Sequence, residues 1–237
     1  MPHDDPARRI RFVRRRLLRN LAAGLAAGVL ALAAPGAARA QDDAAASGPE
    51  LADRAADYIT DLSRTAIREL GAQDIDPAER AERGRALLEA HFAARDLARF
   101  VLGRYWRVAS DQQRARFMTL LREVALTRFL PTFQNLSMDQ VTIERAIPDP
   151  QAKGVARVDT RVDVPERGPV KLAWRVRPSD GGGFQIVDLM AEGVSMAITL
   201  RSEYSSVIKQ NGGRVEALLT RLEKRLKSDG AADWAEN

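Results

Sequence analysis

Two carboxylates, Asp188 and Glu192, stand four residues apart in "DLMAEGVS", where an apolar strand pattern runs into a helical one. A strand end beside a pocket suits proton transfer, so general acid/base chemistry is what such a pair would serve. The bland alternative makes both structural, with Glu192 pairing an arginine or capping the helix that begins near Ser195. Little else could join them in a reaction. The chain has no cysteine, and its two histidines are His3 and His91, so thiol chemistry, histidine triads and His-Cys zinc sites lack raw material. The stretch "DGGGF" follows no strand-to-helix pattern and reads as a hairpin loop rather than a phosphate cradle. No catalytic residue, metal or cofactor is therefore expected.

The formal charge of +5 over 237 residues suggests nucleic acid until it is located. Eight arginines and two aspartates lie in the first 40 residues, a surplus of six that leaves the remainder near −1. With acids interleaved among the bases, no phosphate-binding stripe is expected, and nucleic acid is excluded as a partner. The basic opening precedes "LAAGLAAGVLALAA", an apolar run suited to a secretory segment and short for a membrane span. Ala38-Arg39-Ala40 offers a small-x-small cleavage site. Residues 1–40 are read as a signal peptide, exported by the general secretory route or, through Arg14-Arg15 or Arg15-Arg16, the twin-arginine route. The expected order is then a flexible linker over 41–50, one domain over 51–228 and a tail over 229–237.

Apolar residues at spacings of three and four predict a helix from Leu51 to Leu70, stopped at Gly71. Asp76, Pro77 and Glu79 have the arrangement of a capping box opening a second helix that ends near His91. A third is expected over Leu97 to Trp106. Ser110 and Gln113 form another capping box, opening a helix with Phe117, Leu120, Leu121, Val124 and Phe129 on one face, which Pro131 should end or kink. Period-two alternation follows. Val141 and Ile143 mark one strand; Val158, Thr160, Val162 and Val164 a second; Val170, Leu172, Trp174 and Val176 a third; "FQIVDLMA" a fourth, whose inward parity is ambiguous. Helices close the chain over Val194 to Ile208 and Val215 to Leu226. Helices segregated from a meander sheet predict an α+β fold, a curved antiparallel sheet covered by amphipathic helices. Such layers enclose either a filled core or an apolar pocket, and periodicity does not separate the two.

Two stretches carry a resemblance: "ARFVLGRYWRVASDQQRARF" from Ala98 and "DLMAEGVSMAITLRSEY" from Asp188. Together they resemble the MlaC-type periplasmic phospholipid-binding proteins, auxiliary components of toluene-tolerance and lipid-asymmetry ABC transporters, over about Tyr58 to Leu226. The first matches the family form V-L-G-x-x-[WY] with Val101, Leu102, Gly103 and Trp106. The second matches D-x-x-x-E-G-V-S with Asp188, Glu192, Gly193, Val194 and Ser195. "LTRFLPTFQNLS" departs from the family pattern at Pro131. The resemblance implies a nuclear-transport-factor-like sheet with added helices. It also implies an apolar pocket for phospholipid chains, and lipid exchange between an outer-membrane lipoprotein complex and an inner-membrane ABC transporter bearing an MCE-domain ring. On this basis the pocket is expected to use Phe117, Leu121 and Val124 from a roof helix and Val158, Val162, Leu172, Trp174 and Val176 from the strands. Leu189, Val194 and Met196 would line or gate the mouth. Tyr105 and Trp106 are expected to pack at a helix corner, with Arg104, Arg107 and Arg114 facing water or a partner. Two alternatives stay open: an adaptor subunit with a closed core, and a small-molecule enzyme using Asp188 or Glu192.

Overall fold

Side-chain caps and close backbone approaches decide where the helices begin and end. The computed structural model describes residues 48–164 and 168–232; the expected export segment, its cleavage site and residues 41–47 lie outside them. Helix α1 (Gly48–Leu70) begins three residues ahead of Leu51. It stops at Gly71, where a Cβ would lie 2.5 Å from the Ile67 carbonyl oxygen and 2.9 Å from that of Phe133. The buried Arg80 donates to the carbonyls of Leu70 and Ala72, placing a cation at the negative end of α1.

Helix α2 (Pro77–His91) opens as a single cap: Asp76 accepts from the Glu79 N–H at 2.8 Å. The Glu79 carboxylate does not complete the expected box but pairs with Arg83 at 2.5 Å. The predicted third helix is two, α3 (Ala94–Leu102) and α4 (Tyr105–Val108). Gly103 between them has φ 55°, a left-handed conformation open to glycine that breaks the helical path. This corner buries Tyr105 and Trp106 beside Ala98, Val101 and Leu102. Ser110 and Gln113 exchange both bonds of a capping box at 3.2 Å and start α5 (Asp111–Phe129). A 3-10 turn over Leu130–Asn135, with Pro131 in its first turn, replaces further α-helix.

Five antiparallel strands follow in chain order: β1 (Val141–Pro148), β2 (Ala156–Val164), β3 (Gly168–Pro178), β4 (Phe184–Ala191) and β5 (Val194–Ser195). The pairings Val158↔Trp174, Thr160↔Leu172 and Val176↔Ile186 put these residues on one face. Each outer long strand carries a bulge. Register shifts between Ile143 and Arg145 on β1, and opposite Arg175/Val176 on β4, where Asp188 and Ile186 face consecutive β3 residues. Val187 is thus an extra residue, and Phe184, Ile186 and Leu189 all share the apolar face. Each bulge also bends its strand. The ambiguous parity has a physical answer: the strand uses both.

Val194 belongs to β5, not to a helix; α6 (Met196–Gln210) starts two residues later and α7 (Val215–Ala232) follows, extending past Leu226 into the expected tail. Two apolar clusters result. One is helical, built from α3, α4, α5, α6 and α7 around Leu102, Phe117, Ile208 and Leu219. The other packs Leu51, Ala55 and Ile59 of α1 onto Ala156, Val158, Val176, Phe184 and Ile186. The sheet is therefore roofed by α1, and the assignment of that role to α5 is corrected. Amphipathicity shows that a helix has a face to bury, not which neighbour buries it.

Candidate functional site

The apolar sheet face changes character along its length. At one end Ala156, Val158, Val176 and Ile186 have no exposed surface. Toward the other end of the same face, Trp174, Leu172 and Val170 on β3 and Leu189 and Ala191 on β4 are only half-buried. On β2 the same face stays buried as far as Val162, beside Val170, so the opening lies along β3 and β4. Thr160 and Trp174 carry the polar side-chain atoms of this paired face, and they satisfy each other: the indole Nε1–H donates to Thr160 Oγ1 at 3.1 Å. An uncovered surface is left with aliphatic and aromatic character and no free side-chain donor, suited to hydrocarbon.

The opposite face is ionic. Arg145 and Arg157 pair with Asp159, and Arg161 with Asp163. Arg175 Nε donates to Asp149 Oδ2 at 2.6 Å, and its guanidinium lies 3.8 Å from Asp188. Burial alone would raise the Asp149 carboxyl; hydrogen bonds from Arg175 and the Gln151 N–H outweigh it and hold the group below the usual carboxylate range.

Asp188 and Glu192 both sit in structural bonds. Asp188 is buried and accepts from Ser195 Oγ at 2.6 Å and from the Ala197 N–H at 3.2 Å, while Ser195 Oγ accepts from the Ile198 N–H. The start of α6 is thus capped by Ser195 and Asp188 together, not by Glu192. Glu192 stands at φ 48° and Gly193 at φ 78°, the two central residues of a tight β4–β5 hairpin. Glu192 Oε1 accepts the Lys171 N–H at 2.7 Å, and its own N–H donates to the Lys171 carbonyl. A non-glycine left-handed residue costs roughly 1 kcal/mol or more, and these two bonds hold it there.

The expected site residues divide between the clusters. Phe117 is fully buried in the helical cluster, with Leu121 and Val124 half-buried against it. Val158 and Val176 are fully buried in the sheet cluster, and Trp174 packs on it half-exposed. Val162, Leu172 and Leu189 lie on the sheet's apolar face. Val194 is 58% exposed on β5, and Met196 is half-buried at the start of α6. Phe129, expected on the core face of α5, is 39% exposed beneath Arg128. Arg104 and Arg107 are exposed, but Arg114 is partly covered, donating to the Trp106 carbonyl and pairing with Asp111.

Sequence reasoning missed α1 as the cover and the pair made by His91 with Tyr58. Tyr58 OH lies 2.9 Å from His91 Nδ1, and its ring packs 5.4 Å from that of Phe184. Burial raises the Tyr58 hydroxyl to about 12 and lowers the His91 imidazole, against a weaker pull from Glu69. The signal was present in the i, i+3, i+4 pattern that puts Leu51, Ala55, Tyr58 and Ile59 on one side of α1.

The two sequence motifs meet in space: the Arg201 guanidinium fills the position beside Gly103, 3.3 Å from where a Cβ would stand. Among solved structures, the phospholipid-binding protein from Ralstonia solanacearum, determined in complex with a phospholipid, has the same fold. Its TM-score is 0.62 at 17% identity, over 74% of this chain and 98% of that one. Residues 59–224 match the family described as MlaC protein, from within α1 to within α7. The chain belongs to the MlaC family.

Proposed function

We propose that this chain is a periplasmic phospholipid carrier that holds acyl chains against the uncovered end of its apolar sheet face. The observation that carries the reading is the gradient along β3, from fully buried Val176 to half-buried Trp174 and Leu172, with the polar atoms of that face already satisfied. Each acyl CH₂ removed from water contributes about 0.8 kcal/mol, so chains of ordinary length are held without an ionic anchor. Val162, Leu172, Trp174 and Leu189 form the sheet side of the site. Val194 and Met196 stand at its mouth. Val158 and Val176 lie behind that surface as its support, whereas Phe117, Leu121 and Val124 pack in the helical cluster, away from it. Family membership and the phospholipid named with the Ralstonia structure support the ligand class. Among the described residues no helix is long and apolar enough to cross a membrane, which agrees with a carrier that the expected signal peptide delivers to the periplasm. In that role it passes lipid between an outer-membrane lipoprotein complex and an inner-membrane MCE-domain ABC transporter.

The test is native mass spectrometry of the exported protein purified without detergent, followed by organic extraction. A stoichiometric mass shift that extraction identifies as phospholipid is expected. A bare polypeptide mass, unchanged after incubation with phospholipid vesicles and the cognate membrane complexes, would remove the carrier reading and leave the adaptor.

A further inference from the structure

Many of the described guanidiniums are matched by carboxylates: Arg85 by Glu123, Arg116 by Glu216 and Glu223, Arg145 by Asp159, Arg177 by Asp96. One groove gathers cations that are not. Between α3, the Gly103 corner and α6 runs an open groove in two halves of about 520 and 510 Å³, which share Gly103, Arg104 and Arg201. Arg99, Arg104, Arg107, Arg201 and Lys209 line it, and among the described residues none of the five has a carboxylate partner. The groove's one acid, Asp96, is already paired with Arg177. This concentration occurs although the chain beyond the expected leader has a net charge near −1.

The cations are set among exposed hydrocarbon. Phe100, 41% exposed, lines one half and Ile198, 59% exposed, the other. Arg201 lies over the Phe100 ring at 4.9 Å. Ile198, Arg201, Ser205 and Lys209 recur along α6 at spacings of three and four. They form a stripe that flanks the buried face of Ala197, Tyr204, Val207 and Ile208, with Ser205 half-buried within it. An exposed patch on which α3, the corner and α6 bring cations without carboxylate partners beside Phe100 and Ile198 has the composition of an interfacial surface. The cations meet lipid phosphates while the apolar side chains enter the headgroup boundary. Arginine's planar fork suits phosphate oxygens in pairs.

We propose that the α3–α6 face is a docking surface for an anionic phospholipid bilayer, distinct from the apolar sheet face. It lets the protein rest on a membrane surface without crossing it, and its residues play no part in holding acyl chains inside the fold.

The experiment is vesicle flotation of the exported protein, comparing pure phosphatidylcholine with an equal mixture of phosphatidylcholine and phosphatidylglycerol. Lipid content of each preparation is measured by native mass spectrometry. Binding is expected on the anionic vesicles, weakening as salt rises. Each cation removed should weaken it about fivefold, so Arg99→Gln/Arg107→Gln loses more than tenfold and adding Arg201→Gln brings the loss near a hundredfold. Ile198→Ser should weaken binding several-fold and leave the salt dependence unchanged. Arg221→Gln/Lys224→Gln on α7 should bind as wild type, and thermal melting confirms that each variant is folded. Equal binding to both vesicle types, or wild-type binding by the triple variant, overturns the proposal. So does binding to a polyglutamate peptide with none to vesicles, which would assign the face to an acidic protein. Lost docking with retained lipid, or the reverse, separates this proposal from the carrier reading.

Discussion

The helical cluster and the helix-on-sheet cluster use similar residues and finish differently. Around Phe117, five helices close on every side, and Val101, Leu102, Ile208, Leu218 and Leu219 show almost no exposed surface. On the sheet, α1 reaches Ala156, Val158, Val176 and Ile186, while Trp174 and Leu172 along the same strand stay half-buried. Five converging cylinders can interdigitate to crystal-like density. One long helix, α1, with Phe92 beside it at the end of α2, is narrower than the five-stranded sheet beneath it. The first region is where burial is spent on folding; the second keeps part of its apolar surface available. Four measurements test that contrast.

The largest effect is expected from Phe117→Ala, which should cost ~3–5 kcal/mol in chemical denaturation because a closed, aromatic-filled site leaves a cavity when truncated. A loss below about 1.5 kcal/mol would mean the helical cluster is not the closed one. Next, Asp149→Asn strips the carboxylate from a partly covered Arg175 and should cost about 2–3 kcal/mol at neutral pH. The Asp149 carboxyl is depressed in the fold, so its contribution is present above its unfolded value and lost as pH falls through the folded one. Wild type and variant should therefore converge well below pH ~4. Third, Leu172→Ala should cost only about 1 kcal/mol, yet lower the phospholipid retained on purification several-fold. A cost matching that of Phe117→Ala would erase the distinction between the regions. The smallest effect concerns His91. Its imidazole is lowered in the fold, so the unfolded chain takes up its proton first. Thermal stability should slip as pH falls below about 6.5, and His91→Gln should flatten that part of the profile.

Much of this plan was legible beforehand. Ser110 and Gln113 announce a helix start because their capping chemistry is local, and the strands of the meander announce themselves by alternation. What stayed hidden depends on partners distant in sequence. The exchange of roles between α1 and α5 is one case, since the neighbour that covers a helix face is chosen by tertiary packing and not by the helix's own sequence. The parity of β4 is another: its mixed pattern showed an irregularity, but the position of the bulge is specified by the partner strand. Gly103 was visible inside a helical stretch, but a lone glycine there is often tolerated; it became a break because Arg201 and the buried Tyr105 and Trp106 require the corner. On the apolar sheet face Leu172 and Trp174 follow from alternation, whereas Leu189, past the bulge, and the burial of Val158 and Val176 beneath α1 do not.

Val187, the extra residue of the β4 bulge, has a consequence for how this strand can change over time. Its side chain is half-buried and has no β3 partner, so substitutions there should pass almost unnoticed. Its deletion would leave plain alternation, with Asp188 still opposite Arg175 and Leu189 still opposite Trp174, and would remove the bend that the bulge gives the strand. At this position identity is free while presence sets curvature, so related chains should vary the residue freely, and those that omit it should carry a straighter β4.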